Sequence, residues 1–533
     1  MKKSCSGGRP PAFAIHRTRT LLRPLATAAV LGLAACGGDD DPGGDDGNGT
    51  PAASCAERAN DTEARLLACV TGDGALAHLQ ELDRIARANG GNRTSGSPGH
   101  DASAAYAEKV LADAGYAVTR QAFTFVQYTD LGGSALRQVS PAPAEDIPHR
   151  VMDYSGSGDV AAAPVFVAAG PGCGAADFAG LPAGAAALVE RGDCSFYDKA
   201  MNAIAAGAAA VVVYNNESGD VEGSLSEAFS ADVPVLETTR EAGQRLAATP
   251  GLVLGIKAGT LRTSGTSYNV IAEGRGGGPD HVVVVGAHLD SVAAGPGIND
   301  NGSGSAAVLE TAVQMAKVTP ANRLRFALWG AEENGLLGSA DYVDSLTEEE
   351  RGRIALYLNF DMLASPNGGY FIYDGDDSDG VGEGPGPDGS ATIEGAFEAF
   401  YQARGIPTKG TDFDGRSDYG PFIEYGIPAG GVFSGAEDLR TEEDAALWGG
   451  AAGIAFDPCY HQACDDLGNL DLAALEVNVD AVAAITLRFA NSLEGLRPPA
   501  MPGAMARMQG GATRAQAYTP PADMRPRQAP ARR

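Results

Sequence analysis

Apolar residues along this chain recur with two different periods, and the period changes from segment to segment. Residues 75–90 (ALAHLQELDRIARANG) repeat at helical spacing. Residues 101–115 (DASAAYAEKVLADAG) predict a second helix, with Asp101 as its N-cap and Gly115 as its stop. Residues 116–128 (YAVTRQAFTFVQY) alternate as a strand does. From about 150 to 260 the chain is rich in Ala, Gly and Val, and strand, helix and strand signals follow one another. Beyond about 263, HVVVVGAHLD is a nearly unbroken apolar run, as expected of a strand buried on both faces. SGSAAVLETAVQMAKV predicts a helix, and RLRFALWGA, IALYLNFDM and GYFIYD predict further strands. This alternation gives an α/β fold: a mostly parallel sheet covered by helices, with a smaller β-rich α+β unit inserted.

A chain of 533 residues is too long for one core and suggests two or three domains. The boundaries expected are 1–35 for a signal peptide, 36–54 for a disordered tether, 55–145 for the first part of the main domain, 146–262 for the insert, 263–495 for the rest of the main domain and 496–533 for a disordered tail. The net charge of -29 argues against a nucleic-acid surface, which needs basic patches. Charge is uneven, however. Residues 1–35 hold Lys2, Lys3, Arg9, Arg17, Arg19 and Arg23 with no acid. The apolar run LATAAVLGLAA follows, too short to span a membrane, and reads as the core of a secretion signal. It ends in Leu33-Ala34-Ala35-Cys36, which resembles the bacterial lipobox and implies acylation of Cys36, hence an exported protein anchored to a membrane by lipid. Gly37 after that Cys resembles signals for sorting beyond the inner membrane, to the outer membrane or surface; an ordinary signal peptide would instead release a secreted protein. Setting aside Cys5 and Cys36, the remaining Cys fall into local pairs, Cys55/Cys69, Cys173/Cys194 and Cys459/Cys464. Such pairs fit disulfides formed in an oxidising compartment.

The candidate chemistry sits at the ends of the apolar runs. His288 follows VVVVGA, Glu332 and Glu333 follow FALWGA, Asp361 follows LYLNF, Asp300 lies in GINDNGSGS and His461 in DPCYHQACD. In an open α/β sheet the ligand crevice forms outside the carboxyl ends of the strands. One His or Asp at a strand end is usually a cap or a hydrogen-bonding residue. Several together supply the ligand set of a two-zinc hydrolytic site, with one carboxylate left over as a proton shuttle. Asp290 lies two residues beyond His288 and so is on the same face, where it can orient the imidazole. Adjacent side chains diverge, so of Glu332 and Glu333 one binds metal and the other stays free. The acidic stretch DGDDSDGVGEG suits calcium as well as it suits a solvated loop.

Two resemblances sharpen this. Arg191-Gly192-Asp193-Cys194-Ser195-Phe196, followed by Lys199, Asn202-Ala203, Ala206-Gly207-Ala208 and Asn215-Asn216, resembles the protease-associated domain, a noncatalytic companion of peptidase domains. GAHLDS, IND with NGSGS, WGAEENGLLGS, NFDM, DGRSDYGPF and DPCYHQACD resemble metallopeptidase family 28, most of all its secreted bacterial di-zinc aminopeptidases. That resemblance implies His288 and Asp361 on one zinc, Glu333 and His461 on the other, and Asp300 bridging. It implies Glu332 as general base, and Tyr460 and Arg416 as contacts to substrate or the developing oxyanion. It also implies that a Cys459–Cys464 disulfide stiffens the loop around His461. The substrate class is then peptides with an apolar N-terminal residue. Three alternatives stay open. A carboxypeptidase on the same fold needs an Arg cluster, of which only Arg416 is seen; a glutaminyl cyclase uses one zinc; a noncatalytic binding lipoprotein would have lost its ligands. Oligomeric state is not legible in the sequence.

Overall fold

The computed structural model describes residues 55, 57–217, 223–382 and 384–496. The signal, the tether, Cys36 and the tail beyond residue 496 therefore lie outside the described residues.

The main sheet has eight strands. At its centre Gly278–His288 runs parallel to Asn322–Trp329 on one side and to Ile354–Phe360 on the other. Ala429–Phe433 continues the parallel run beyond Ile354–Phe360. Every residue of Ile354–Phe360, and the last seven of Gly278–His288, are buried, as their apolar composition requires. The antiparallel pairs lie towards the edges, where Thr260–Glu273 meets Asn322–Trp329 and Phe371–Tyr373 meets Ala429–Phe433. Helices Gly72–Ala88, Gly304–Met315 and Leu472–Asn491 share one apolar core with this sheet. A second core, on its other side, is aromatic: Tyr357 stacks on Phe422 with centroids 4.0 Å apart, and Trp329 packs beside both.

The second helix differs from expectation at its start. It runs Pro98–Asp113, and Ser97 is the cap, its Oγ accepting from the His100 N–H at 3.3 Å. Pro98 needs no N–H partner in the first turn, so the helix begins ahead of Asp101, which lies within that turn.

The inserted unit has its own eight-stranded sheet. Gly158–Val167, Ala186–Glu190, Ala210–Tyr214 and Val235–Thr238 form its parallel centre, with helices Phe196–Ala205 and Arg240–Ala247 packed in two separate cores. This sheet also takes in Ala135–Ser140, paired with Val253–Ala258. Strands Ala117–Asp130 and Thr260–Glu273 pair along their whole length and lead from one sheet to the other. Tyr154 of the insert donates to the Asn334 carbonyl at 3.2 Å, one residue beyond Glu333. Among the described residues no helix is long and apolar enough to cross a membrane.

Candidate metal centre

Three parallel strands end on the same edge of the main sheet, and their ends bring His288, the Glu332–Glu333 turn and Asp361 together. Asp300 arrives from the turn Ile298–Ser303, which leads into the helix Gly304–Met315. His461 comes from the loop closed by the Cys459–Cys464 disulfide. Cys55–Cys69 and Cys173–Cys194 are bonded as well, so all three local pairs form.

The two oxygens of Asp300 face different partners. His288 Nε2 is 3.3 Å from Asp300 Oδ1 and 3.3 Å from Asp361 Oδ1. His461 Nε2 is 3.2 Å from Asp300 Oδ2 and 3.1 Å from Glu333 Oε2. Glu332 is close as well: its Oε2 is 3.8 Å from His288 Nε2, and it lies within 4.8 Å of both His288 and Asp361.

Several of these atoms have no hydrogen-bond partner although they are buried: Glu333 Oε1, Asp361 Oδ1, Asp290 Oδ2 and His288 Nδ1. Buried polar groups are normally paired, and buried charges pair or bind metal. Converging imidazole and carboxylate groups of this kind fit zinc. Burial disfavours charge on His288, but Asp361, Glu332 and Asp300 outweigh it and hold its pKa well above the ordinary value. His461 is pushed up to about 12, because Glu333 and Asp300 outweigh its burial. Burial likewise opposes the charge on Asp300, yet hydrogen bonds from both imidazoles keep its carboxyl below the usual range. Glu332 is raised well above an ordinary carboxyl, first by burial and then by Asp418, Glu333 and Asp361.

Asp290 sits 3.8 Å from His288 Nδ1, longer than a hydrogen bond, and accepts instead from the Glu332 N–H at 3.3 Å. Tyr460 stacks on the His461 ring, centroids 3.9 Å apart. Its hydroxyl is 3.5 Å from Arg416 Nη2, and Arg416 also pairs with Glu437 at 2.8 Å. Burial holds the Tyr460 phenol well above its usual pKa, so it is a proton donor near neutrality.

Other residues at the site have no role assigned from the sequence, although Ser417 and Asp418 lie in DGRSDYGPF and Asp465 ends DPCYHQACD. Ser417 donates to Asp361 Oδ2 at 2.6 Å. Asp418 is fully buried behind the site, and burial lifts its carboxyl to about 7. Arg93 and Asp465 grip the loops that bear the ligands. The available signal for Asp465 was its place at the end of DPCYHQACD, directly after Cys464. The acidic loop is different: Asp374, Asp376 and Glu394 lie within 4.8 Å of one another, but Asp374 accepts from Ser378 and Asp379 N–H groups and Glu394 from Gly375 and Asp376.

Comparison with known proteins agrees with this geometry. Residues 269–486 match peptidase family M28 and residues 157–246 match the PA domain. An aminopeptidase of Pseudomonas aeruginosa is 46% identical over 435 residues, 78% of this chain and 81% of the relative. A probable lipoprotein aminopeptidase, LpqL, of Mycobacterium tuberculosis is 43% identical over 439 residues, 80% of this chain and 86% of the relative. Among solved structures, an aminopeptidase from Aneurinibacillus sp. strain AM-1 superposes with TM-score 0.67 at 28% identity, over 83% of this chain and 97% of that one. A zinc aminopeptidase from Bacillus subtilis superposes with TM-score 0.58 at 26% identity, over 80% and 98%. The α/β sheet with its inserted second unit, the convergent ligand set and these likenesses agree, and the chain belongs to peptidase family M28.

Proposed function

We propose that the cluster holds two zinc ions and that the protein removes N-terminal, apolar amino acids from peptides. The family is one of zinc peptidases, and both relatives are named aminopeptidases, so the enzyme is a metallo-aminopeptidase. The single observation behind the two-ion reading is the division of Asp300, with Oδ1 towards His288 and Asp361 and Oδ2 towards His461 and Glu333. In this reading His288 and Asp361 hold one ion, His461 and Glu333 the other, and Asp300 both. Bound zinc supplies Lewis acidity at the scissile carbonyl and an acidified water. Glu332, the carboxylate left outside both sets, takes a proton during attack and returns it to the leaving amine. Burial raises its carboxyl above the ordinary range, which makes it a stronger proton acceptor than a solvated carboxylate. The protonated Tyr460 hydroxyl donates to the developing oxyanion, and Arg416 orients that hydroxyl. Asp290 supports the Glu332 backbone. The surrounding carboxylates favour a substrate's cationic α-amine, which is why an exopeptidase acting at the N-terminus fits better than a carboxypeptidase. Arg416 is paired with Glu437 and is no free anchor for a C-terminal carboxylate.

The disulfides, and the lipoprotein named among the relatives, support an extracellular or envelope protein. The finer reading places it on the outer membrane or surface, anchored through acylated Cys36. Calcium at Asp374, Asp376 and Glu394 is a separate reading, and calorimetric titration of the zinc-loaded protein with calcium decides it; no heat removes it.

The activity is tested with leucine-p-nitroanilide and its N-acetylated form. Chelator-sensitive release from the free amine alone is expected. Equal release from both, or release that survives chelation, would sink the aminopeptidase reading.

A further inference from the structure

Arg93 is wholly buried. It lies in the loop between helices Gly72–Ala88 and Pro98–Asp113, far in sequence from every ligand. A buried guanidinium is costly unless its donors are used. Here no carboxylate takes them; backbone carbonyls do. Nε donates to the Pro296 carbonyl at 2.8 Å, Nη2 to Gly297 at 2.5 Å and Nη1 to Leu289. The Arg93 N–H adds a bond to Ser291 Oγ at 2.9 Å.

The position of these acceptors matters. Leu289 directly follows His288. Pro296 and Gly297 directly precede the turn Ile298–Ser303 that bears Asp300. One planar fork therefore ties the segment of His288 to the segment of Asp300 across the excursion between them. Lys could not do this, since an ammonium has no fixed fork of donors.

Asp465 does the complementary work on the other side. It too is buried, with Oδ1 accepting from the Asn299 N–H at 2.8 Å and Oδ2 from the Asp300 N–H at 3.0 Å. Its own carbonyl accepts from Ile298 at 3.1 Å. Asp465 follows Cys464, so it joins the Asp300 turn to the loop of His461. The turn is thus held through the carbonyls that precede it by a guanidinium and through its own amides by a carboxyl group. The order His288, Arg93, Asp300, Asp465, His461 is continuous.

We propose that Arg93 and Asp465 are paired positioning residues that hold the Asp300 carboxylate between His288 and His461, so that one side chain serves both metal sites. This deepens the two-zinc reading and rests on it. Ordinary core residues support the fold without setting the distance between ligands. Arg93 and Asp465 set that distance directly, because Arg93 bonds to the backbone of both the His288 and the Asp300 segments, and Asp465 bonds to the Asp300 turn from the loop that carries His461.

The test is zinc binding, measured by competition with a chromophoric chelator on the whole chain. Arg93→Met, Arg93→Lys and Asp465→Asn are compared with Val482→Ala, a truncation in the core of helix Leu472–Asn491. The positioning variants are expected to weaken the weaker zinc-binding event at least tenfold. They should lower kcat for leucine-p-nitroanilide by a similar factor with KM little changed. Val482→Ala should lower Tm yet bind both ions as the wild type does. Should Arg93→Met fail to fold, Arg93→Lys and Asp465→Asn carry the same expectation. The proposal is overturned if these variants bind both ions within threefold of wild type, or if Val482→Ala weakens binding equally. A wild-type protein that binds one ion would defeat the two-zinc reading itself, a different and separately visible failure.

Discussion

The two sheets of this molecule share one plan, parallel strands with helices between them, and they differ in what happens at the strand ends. In the inserted unit the two cations there are satisfied by neighbouring polar groups, and among the described strand-end side chains only Asn216 keeps a buried oxygen that no hydrogen bond reaches. Arg191, just past the strand Ala186–Glu190, donates to Asn215 Oδ1 at 3.2 Å, just past the neighbouring strand. Lys199, buried nearby, donates to the carbonyls of Pro171 and Gly192. In the peptidase sheet the corresponding edge collects His288, Glu333 and Asp361, each with a buried atom that no hydrogen bond reaches. Burying polar groups unpaired costs about 1–3 kcal/mol each. A fold bears that cost where a cation or substrate completes the set; three such residues converge at the second edge, which is the edge the two-zinc reading assigns to the chemistry.

That contrast can be broken by substitution. The largest effect belongs to Glu332→Gln, which removes the proposed proton shuttle while keeping the shape. It should lower kcat by about 10²–10⁴-fold in a leucine-p-nitroanilide assay, with zinc content unchanged. A variant that kept its rate would take Glu332 out of the chemistry.

Disulfides offer the next comparison. Loop-closure entropy grows with the residues enclosed, so losing Cys173–Cys194, with a separation of 21, should cost about 3 kcal/mol. Losing Cys459–Cys464, with a separation of 5, should cost about 2 kcal/mol. Activity should show the reverse order. The double Ser variant at 459 and 464 loosens the His461 loop and should lose about tenfold in kcat, a loss in the range for disturbed support of a metal ligand. The variant at 173 and 194 should keep its kcat at temperatures where it is folded. Denaturant titration and initial rates on the same preparations check both. Lys199→Met belongs on the structural side as well; it should cost about 1–3 kcal/mol by leaving the Pro171 and Gly192 carbonyls unpaired, with no loss of rate.

The smallest effect is a pH dependence away from the metal centre. Burial raises the Glu310 carboxyl to about 7 from 4.5. The folded state therefore binds this proton more tightly than the unfolded chain does. Its contribution to stability is complete below about pH 4.5 and is lost as pH rises through 7, an effect on the order of 1–3 kcal/mol. Glu310→Gln should flatten the fall in Tm between pH 5 and 8; an unchanged slope would contradict this origin.

The legible parts of this molecule are those with a repeating signal. Apolar runs announced the central strands, and polar residues at their ends announced the side chains that the fold gathers at one edge. Short Cys spacings announced three bonded pairs. What escaped has no period. Arg93 lies in a loop, and its role depends on three carbonyls 196 to 204 residues away in sequence. Asp465 acts through two backbone amides, which any residue possesses, so nothing in the sequence marks its partner. Strand alternation placed Asp290 beside His288, where its carboxylate lies 3.8 Å from Nδ1; that the same oxygen accepts from the Glu332 amide depends on a neighbouring strand end and was not legible. The helix start moved from Asp101 to Ser97 because Pro98 adds a full turn that alternation of apolar residues does not report.

The central claim is that Asp300 serves two ions at once, each completed by one His and one carboxylate. Zinc counted by mass spectrometry on the purified wild type and on His461→Ala tests it most directly. Two ions per wild-type chain and one per variant chain are predicted. A single ion in the wild type, or two retained without His461, would contradict it.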